Sequence, residues 1–312
     1  MEYAVAIDGL TKAFGVFTAV DGISLDVAYG EIFGFLGANG AGKTTAIRML
    51  CGLLLPTAGR GMVNGFDINR QYERIKPSIG YMSQKFSLYG DLTGRENLGF
   101  YGTVYGLHNR QLKERIAELV VQLNLAEFVD RPTASLPVGW RQRIALAAAI
   151  LHRPRIIFLD EPTGGVDPVS RRHFWQLINQ LSANGVTVFV TTHYLDEAEH
   201  CHRLALMHAG RIAALGTVSE LKGMFSTRAV VEVRTASPMA ALRALDDLPT
   251  VEKTSPFGTA LHVWLKPGVR DTGPLQRRLE ELGLAAESFE FVQPSLEDVF
   301  MDVVAREEKA AV

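Results

Sequence analysis

Near the start of the chain, apolar and polar positions alternate. Tyr3-Ala4-Val5-Ala6-Ile7 and Ala19-Val20-Asp21-Gly22-Ile23-Ser24-Leu25-Asp26-Val27 show the period of two expected of a β-strand with one covered face. Three later segments are apolar almost without a break: Ile32 to Leu36, Ile156-Ile157-Phe158-Leu159, and Val186 to Thr192. Strands covered on both faces look like this. Gly59 to Gly65 predicts a hairpin, and Ile79-Gly80-Tyr81-Met82 predicts a strand that runs into the polar Ser83-Gln84.

Helical spacing follows Ile32 to Leu36 directly, from Thr44 to Leu53, and dominates from Thr93 to about Pro154. Thr93-Gly94-Arg95-Glu96 fits a capping box. Leu112, Ile116, Leu119, Val120 and Leu123 recur on one helical face and are predicted to meet a core. Gln142 to Leu151 is an alanine-rich helix, and Phe174 to Leu181 is another. Buried strands alternating with helices predict an α/β fold with a mostly parallel sheet. From about Thr227 the pattern changes. Strands at Ala229 to Val233, Leu261 to Leu265 and Phe289 to Val292 alternate with helices at Pro238 to Leu245, Pro274 to Leu282 and Ser295 to Ala305. These segments predict a second, smaller α+β domain over 227–312, after a first domain over 1–222.

The 312 residues are 47% hydrophobic and 21% charged, enough for a large core. The formal net charge of −2 gives no general case for nucleic acid as a partner. Two cysteines, Cys51 and Cys201, argue against a disulfide scaffold and suit a reducing compartment. Met1 to Leu10 lacks the basic and apolar regions of a signal peptide. No apolar run is long enough to span a bilayer, so action at a membrane would go through a partner.

The chemistry is concentrated in Gly37-Ala38-Asn39-Gly40-Ala41-Gly42-Lys43-Thr44-Thr45, which fits the phosphate-binding loop G-x-x-x-x-G-K-[ST] in its proper strand–loop–helix setting. Glycines let the backbone wrap a phosphate, and the amides opening the helix face its charge. Lys43 would reach the β- and γ-phosphates, and the Thr44 hydroxyl would take a Mg²⁺ position. Asp160-Glu161 ends a buried strand, at the sheet edge where α/β proteins place ligands. His193 ends another strand. Phe14, in the turn-like Lys12-Ala13-Phe14-Gly15, either stacks on an adenine ring or plugs a small sheet. His200, Cys201, His202 and His208 are close in sequence, but their spacing fits no zinc pattern well.

Together these pieces resemble the nucleotide-binding subunits of ABC transporters over at least residues 1 to 222. Within that superfamily the chain looks like the ATPases of bacterial drug-resistance exporters, which work with a separate integral-membrane permease. The resemblance implies a phosphate-loop NTPase fold: a RecA-like parallel core, an antiparallel β subdomain, a helical subdomain over about 86–154, and a small C-terminal α+β domain. Pro294-Ser295-Leu296-Glu297-Asp298-Val299-Phe300 carries the likeness into that last domain. It implies ATP and Mg²⁺ as ligands and a peripheral place on the cytoplasmic face of the inner or plasma membrane. By resemblance, Gly37 to Thr45 holds the phosphates and Asp160 holds Mg²⁺. Gln84 touches Mg²⁺ or water and senses the permease, and Glu161 polarises the attacking water. His193 is the switch histidine near the γ-phosphate, Phe14 the adenine-stacking aromatic, and Gly164-Gly165-Val166-Asp167 the loop that meets the opposite subunit.

One segment departs from the family pattern. Where the family reads Leu-Ser-Gly-Gly-Gln, this chain has Leu136-Pro137-Val138-Gly139-Trp140. In the family this segment closes over the ATP held by the other subunit. Pro137 offers neither hydroxyl nor N–H, and Val138 adds bulk where a glycine admits close backbone approach. Gly139 keeps its amide. The sequence therefore admits a homodimer with two slow sites or a heterodimer with a second ATP-binding subunit whose signature is complete. Phe86, Leu88 and Tyr89 either hold a permease helix or pack inside the helical region. The competing functions are a soluble ABC-type ATPase outside transport and a nucleotide-dependent regulatory module with little turnover.

Overall fold

The computed structural model describes residues 3–84, 87–224 and 229–310, with side chains through Ala305. The chain divides into two compact units, Met1–Thr217 and Val218–Val312.

In the first unit, β1 (Tyr3–Phe14) and β2 (Phe17–Ala28) form a long antiparallel hairpin. The sequence pattern covers the first part of β1 and most of β2; register shifts along the pairing interrupt the alternation elsewhere. β3 (Ile32–Leu36) leads through the glycine-rich loop to α1 (Lys43–Leu50). β4 (Ala58–Val63) and the two-residue β5 (Phe66–Asp67) make the predicted hairpin and complete a four-stranded sheet in the order β2-β1-β4-β5. Next come the single turn α2 (Tyr72–Ile75), β6 (Ile79–Met82), and the helices α3 (Gly94–Val104), α4 (Asn109–Gln122) and α5 (Val138–Ala149). β7 (Ile156–Asp160), α6 (Pro168–Ala183), β8 (Thr187–Thr192), the single turn α7 (Leu195–Ala198), β9 (Arg203–His208) and β10 (Arg211–Gly216) complete the unit.

The central sheet has six strands in the order β10-β9-β3-β8-β7-β6. The strands from β9 to β6 pair parallel, and β10 pairs antiparallel with β9. Every residue of β3, β7 and β8 is buried, as their unbroken apolar runs predict. The two sheets enclose a core with α1, in which Phe33, Phe35 and Phe189 meet ring to ring beside Val5, Ile23, Ile47 and Leu50. The sequence pattern did not reveal β9 and β10, where Arg203, His208 and Arg211 break up the apolar residues.

The capping box forms as predicted. Glu96 N–H donates to Thr93 Oγ1 at 3.2 Å, and Thr93 N–H donates to Glu96 Oε2 at 2.8 Å. On α4, Ile116 and Leu119 are buried, while Leu112 and Val120 are half-buried. Asn97 is fully buried and fastens α3 to the preceding loop through Tyr89 N–H at 2.8 Å and the carbonyls of Tyr89, Leu92 and Thr93.

The second unit opens with α8 (Val218–Gly223) and continues as β11 (Val230–Thr235), α9 (Pro238–Asp246), β12 (Val251–Phe257), β13 (Ala260–Leu265), α10 (Gly273–Glu281), β14 (Ala286–Val292) and α11 (Leu296–Ala310). Its sheet is antiparallel throughout, in the order β12-β13-β11-β14. Val231, Val233, Leu261 and Val263 form one core with Leu245, Leu275 and Leu279 of α9 and α10. On the alternate positions, His262 Nδ1 meets Asp298 Oδ2 of α11 at 2.8 Å. β12 is a strand the sequence pattern did not show, because its Glu252, Lys253, Ser255 and Pro256 hide the alternation.

Candidate functional site

The buried strand β3 delivers the chain into a loop that returns sharply to start α1. Gly42 caps α1 with φ of +100°, and a Cβ there would sit 2.4 Å from Ala19 O. A Cβ on Gly37 would meet Met207 O at 2.4 Å. Only glycine fits either place, which is the physical content of the motif spacing. Lys43, the first residue of α1, folds over its own loop, with Nζ donating to Gly37 O at 2.8 Å and to Ala38 O at 3.1 Å. Burial lowers its pKa, and the carboxylates of Glu161 and Asp160 oppose that shift.

The pairing of β7 with β8 places Asp160 beside Thr191. Asp160 Oδ1 accepts from Thr191 Oγ1 at 2.7 Å and from Thr44 Oγ1 at 2.9 Å. Burial raises the Asp160 pKa, the two hydroxyls pull it down, and neighbouring Glu161 pushes it up again; the balance is a raised value. Thr44, Asp160 and Gln84 present hard oxygens of the kind Mg²⁺ takes, so the donor set fits that ion.

Glu161 leaves β7 with φ of +47°, in a region few side chains adopt. Its N–H is held by Thr191 Oγ1 at 2.9 Å. This turn aims the carboxylate back over the phosphate loop. Oε1 lies 3.5 Å from Lys43 Nζ, and Oε2 accepts from Gln84 Nε2 at 2.9 Å. His193 Nδ1 stands 3.3 Å from the same Oε2 without a directed hydrogen bond. Lys43, Gln84 and His193, spread over much of the first unit's sequence, thus converge on one carboxylate.

Lys43, Gln84 and Glu161 border a cavity of about 330 Å³ lined also by Phe17, Ala19, Asn39, Gly40, Gly42, Thr44 and Thr45; Asp160 and His193 do not line it. Ala41 is buried beneath it, and its carbonyl accepts from Gly210 N–H. Phe14 ends β1, half exposed, with Lys12 Nζ 5.2 Å from its ring centre. It does not line the cavity; Phe17, its partner across the hairpin, does. The turn-like sequence around Phe14 hid that pairing. Thr191 was also missed, although a threonine inside a buried apolar strand signals an unseen polar partner. A larger cavity of about 780 Å³ in the second unit, lined in part by Val218, Lys222, Arg270 and Phe291, holds neither phosphate loop nor acid pair.

Pro137, Val138 and Gly139 lie at the start of α5, outside the cavity. Pro137 is the N-cap, and its carbonyl accepts from Trp140 and Arg141 N–H. Trp140 stacks on Phe128 at 4.0 Å. Asp167 caps α6 through Val169 and Ser170 N–H. Tyr89 and Phe100 are both exposed and meet edge to face at 5.1 Å, while Leu88 is half-buried. Phe86 lies outside the described residues. His202 is engaged in the fold, its Nδ1 accepting from Ile32 N–H at 2.9 Å. Among the described residues no cluster of His, Cys, Asp and Glu is placed to hold a metal, and no helix is long and apolar enough to cross a membrane.

A phosphate loop under a buried acid pair, on a parallel sheet flanked by antiparallel and helical subdomains, defines a phosphate-loop NTPase. Comparison with known proteins narrows the class. Residues 20–164 match the family model described as ABC transporter, and residues 134–195 match one described as AAA domain, putative AbiEii toxin, Type IV TA system. The chain is 48% identical over 221 residues to the probable multidrug ABC transporter ATP-binding protein YbhF of Escherichia coli (strain K12), a match covering 71% of this chain and 38% of that protein. It is 37% identical over 306 residues to the daunorubicin resistance ATP-binding protein DrrA3 of Streptomyces coeruleorubidus, covering 96% and 95% of the two chains. Among solved structures, a dimeric post-hydrolysis state of the ATP-binding cassette MJ0796 bound to ADP and Pi aligns with a TM-score of 0.63 at 26% identity, over 68% of this chain and 98% of that one. The chain belongs to the ATP-binding subunits of ABC transporters, the ATPases that energise those transporters.

Proposed function

We propose that this chain binds Mg-ATP on the phosphate loop, hydrolyses it within a dimer of ATP-binding subunits, and drives export through a separate integral-membrane permease. It would work at the cytoplasmic face of the membrane. The observation that carries this reading is the convergence of Lys43, Gln84 and His193 on Glu161, beside Asp160 held by Thr44. Export is supported by relatives named for multidrug transport and for daunorubicin resistance. The dimer is supported by the dimeric cassette that shares the fold.

Phosphoryl transfer to water needs charge neutralisation and an aligned nucleophile. The loop amides and Lys43 provide charge neutralisation on the protein side. Mg²⁺, held by Thr44, Asp160 and Gln84, would add to it. Glu161 is the base that orients water, and its hydrogen bond to Gln84 fixes the carboxylate. His193 stands at the same carboxylate oxygen as Gln84, where it orients the transferred group. Phe14 and Phe17, paired at the hairpin tip, form the platform for the base.

The signature segment is impaired. Pro137 and Val138 remove a hydroxyl, an N–H and a close approach, so the grip on the opposite subunit's phosphate rests on Gly139 and the start of α5. The exposed Tyr89–Phe100 pair, near Gln84 in the chain, is the surface for a permease helix. The test is the mass, by light scattering, of Glu161→Gln protein with Mg-ATP. A dimer that appears only with ATP supports the homodimer. A monomer that binds ATP normally refutes it and points to a second ATP-binding subunit. ATPase activity in Pro137→Ser, Val138→Gly protein no higher than in the parent would overturn the impaired signature. Unchanged copurification with the permease after Tyr89→Asp would overturn the docking surface.

A further inference from the structure

Glu197 is 2% exposed, yet no step above uses it. It lies in α7, one turn past His193. Its carboxylate ties three segments together. Oε1 accepts from the Thr163 hydroxyl, and Arg171 Nε of α6 stands 3.3 Å from that oxygen. Oε2 accepts from Thr192 Oγ1 at 2.7 Å. Thr163 sits just past Glu161, in the turn where Gly164 N–H donates to Glu161 O. Thr192 ends β8 and leads directly into His193, and its hydroxyl also accepts from Tyr194 N–H at 2.9 Å. Arg171 covers the Tyr194 ring at 4.0 Å. One buried acid therefore joins the turn that carries Glu161 to the segment that carries His193.

We propose that Glu197 is a positioning residue for ATP hydrolysis, setting the spacing between Glu161 and His193 through Thr163 and Thr192. The proposal rests on the hydrolysis reading above. A fold needing only a filled space here would be as well served by an apolar side chain, because burying an ion pair brings little net stability. Here two hydroxyls donate to the carboxylate and Arg171 faces its charge, and both hydroxyls belong to the segments flanking the water-orienting base and the histidine. Those two groups stand 3.3 Å apart. A shift of about 1 Å at such a site can lower turnover about a hundredfold.

The test is steady-state ATPase kinetics of the full chain, with melting temperature and nucleotide affinity measured in parallel. Glu197→Gln and Thr163→Val should each lower kcat about tenfold or more while KM stays within about twofold. Thr163→Ser, which keeps the hydroxyl, should recover most of the loss. In a His193→Ala background, Glu197→Gln should remove little further activity, because the two act as one unit. Parent-like kcat in folded Glu197→Gln protein, or a full additional loss in the double variant, would overturn the proposal. Should Glu197→Gln not fold, the Thr163 pair decides: equal kcat for the valine and serine variants overturns it. A parent with no turnover overturns the hydrolysis reading and this proposal with it; an active parent with unaffected variants overturns only this proposal.

Discussion

Thr191→Val is the most informative single change. The side chain is fully buried, and its hydroxyl makes two bonds: it donates to Asp160 Oδ1 at 2.7 Å and accepts from Glu161 N–H at 2.9 Å. Valine matches its shape and makes neither. A hydrogen bond to a charged group contributes about 1.5–3 kcal/mol. The second bond matters less, because Glu161 N–H keeps the Thr191 carbonyl at 3.2 Å. The total is therefore about 2–4 kcal/mol, which lowers the melting temperature of a unit this size by on the order of 10 °C. The loss depends on pH. Burial already holds the Asp160 pKa above its ordinary value, and the Thr191 bond resists that rise. A raised carboxyl contributes fully below its unfolded pKa, and that contribution is lost as pH rises through the folded value. Removing the hydroxyl raises the folded value further. The penalty should then be largest near pH 8 and shrink toward about pH 4. Calorimetry of the nucleotide-free protein reads both quantities, with Thr191→Ser as the control that keeps the hydroxyl. An unchanged melting temperature, or the same loss at both pH values, would refute the reasoning.

Gly42→Ala should weaken nucleotide binding by about tenfold or more, since alanine meets the Ala19 carbonyl at a strained φ; titration with a fluorescent ATP analogue measures it. Glu161→Gln should lower ATP turnover by about 10²–10⁴-fold while nucleotide affinity stays near the parent's, as steady-state kinetics beside the same titration would show. In the second unit, burial would raise the Asp298 carboxyl, but bonds from His262 and Ser295 hold it below its ordinary value. A depressed acid stabilises the fold above its unfolded pKa, and the contribution is lost as pH falls through the folded value. Asp298→Asn should therefore lower the unfolding temperature of the full chain at neutral pH, with the difference closing toward about pH 3.

The sequence by itself determined whatever depends on local backbone. Gly42 is fixed by its own φ of +100°, whereas the carbonyl that excludes a Cβ at Gly37 comes from the distant Met207. The Thr93 capping box and the apolar runs of β3, β7 and β8 are local too, and each formed where the pattern placed it. Asp160 and Glu161 were legible because they end such a run. Partners across long separations were decided only by the tertiary structure. Thr191 lies in a run that marks it as buried, but nothing local says that β8 pairs with β7 and sets it beside Asp160. Glu197 looks like a surface acid until the fold brings Thr163, Arg171 and Thr192 around it. Phe17 reached the cavity through the register of the β1–β2 hairpin, which bulges conceal from a period-two reading. The strands β9, β10 and β12 were hidden because charged and polar residues cut their sequences into short stretches: Arg203, His208 and Arg211 in β9 and β10, and Glu252, Lys253 and Ser255 in β12. Spacing records what each residue's own backbone must do, whereas a buried polar group's partner is set by which strands pair and in what register.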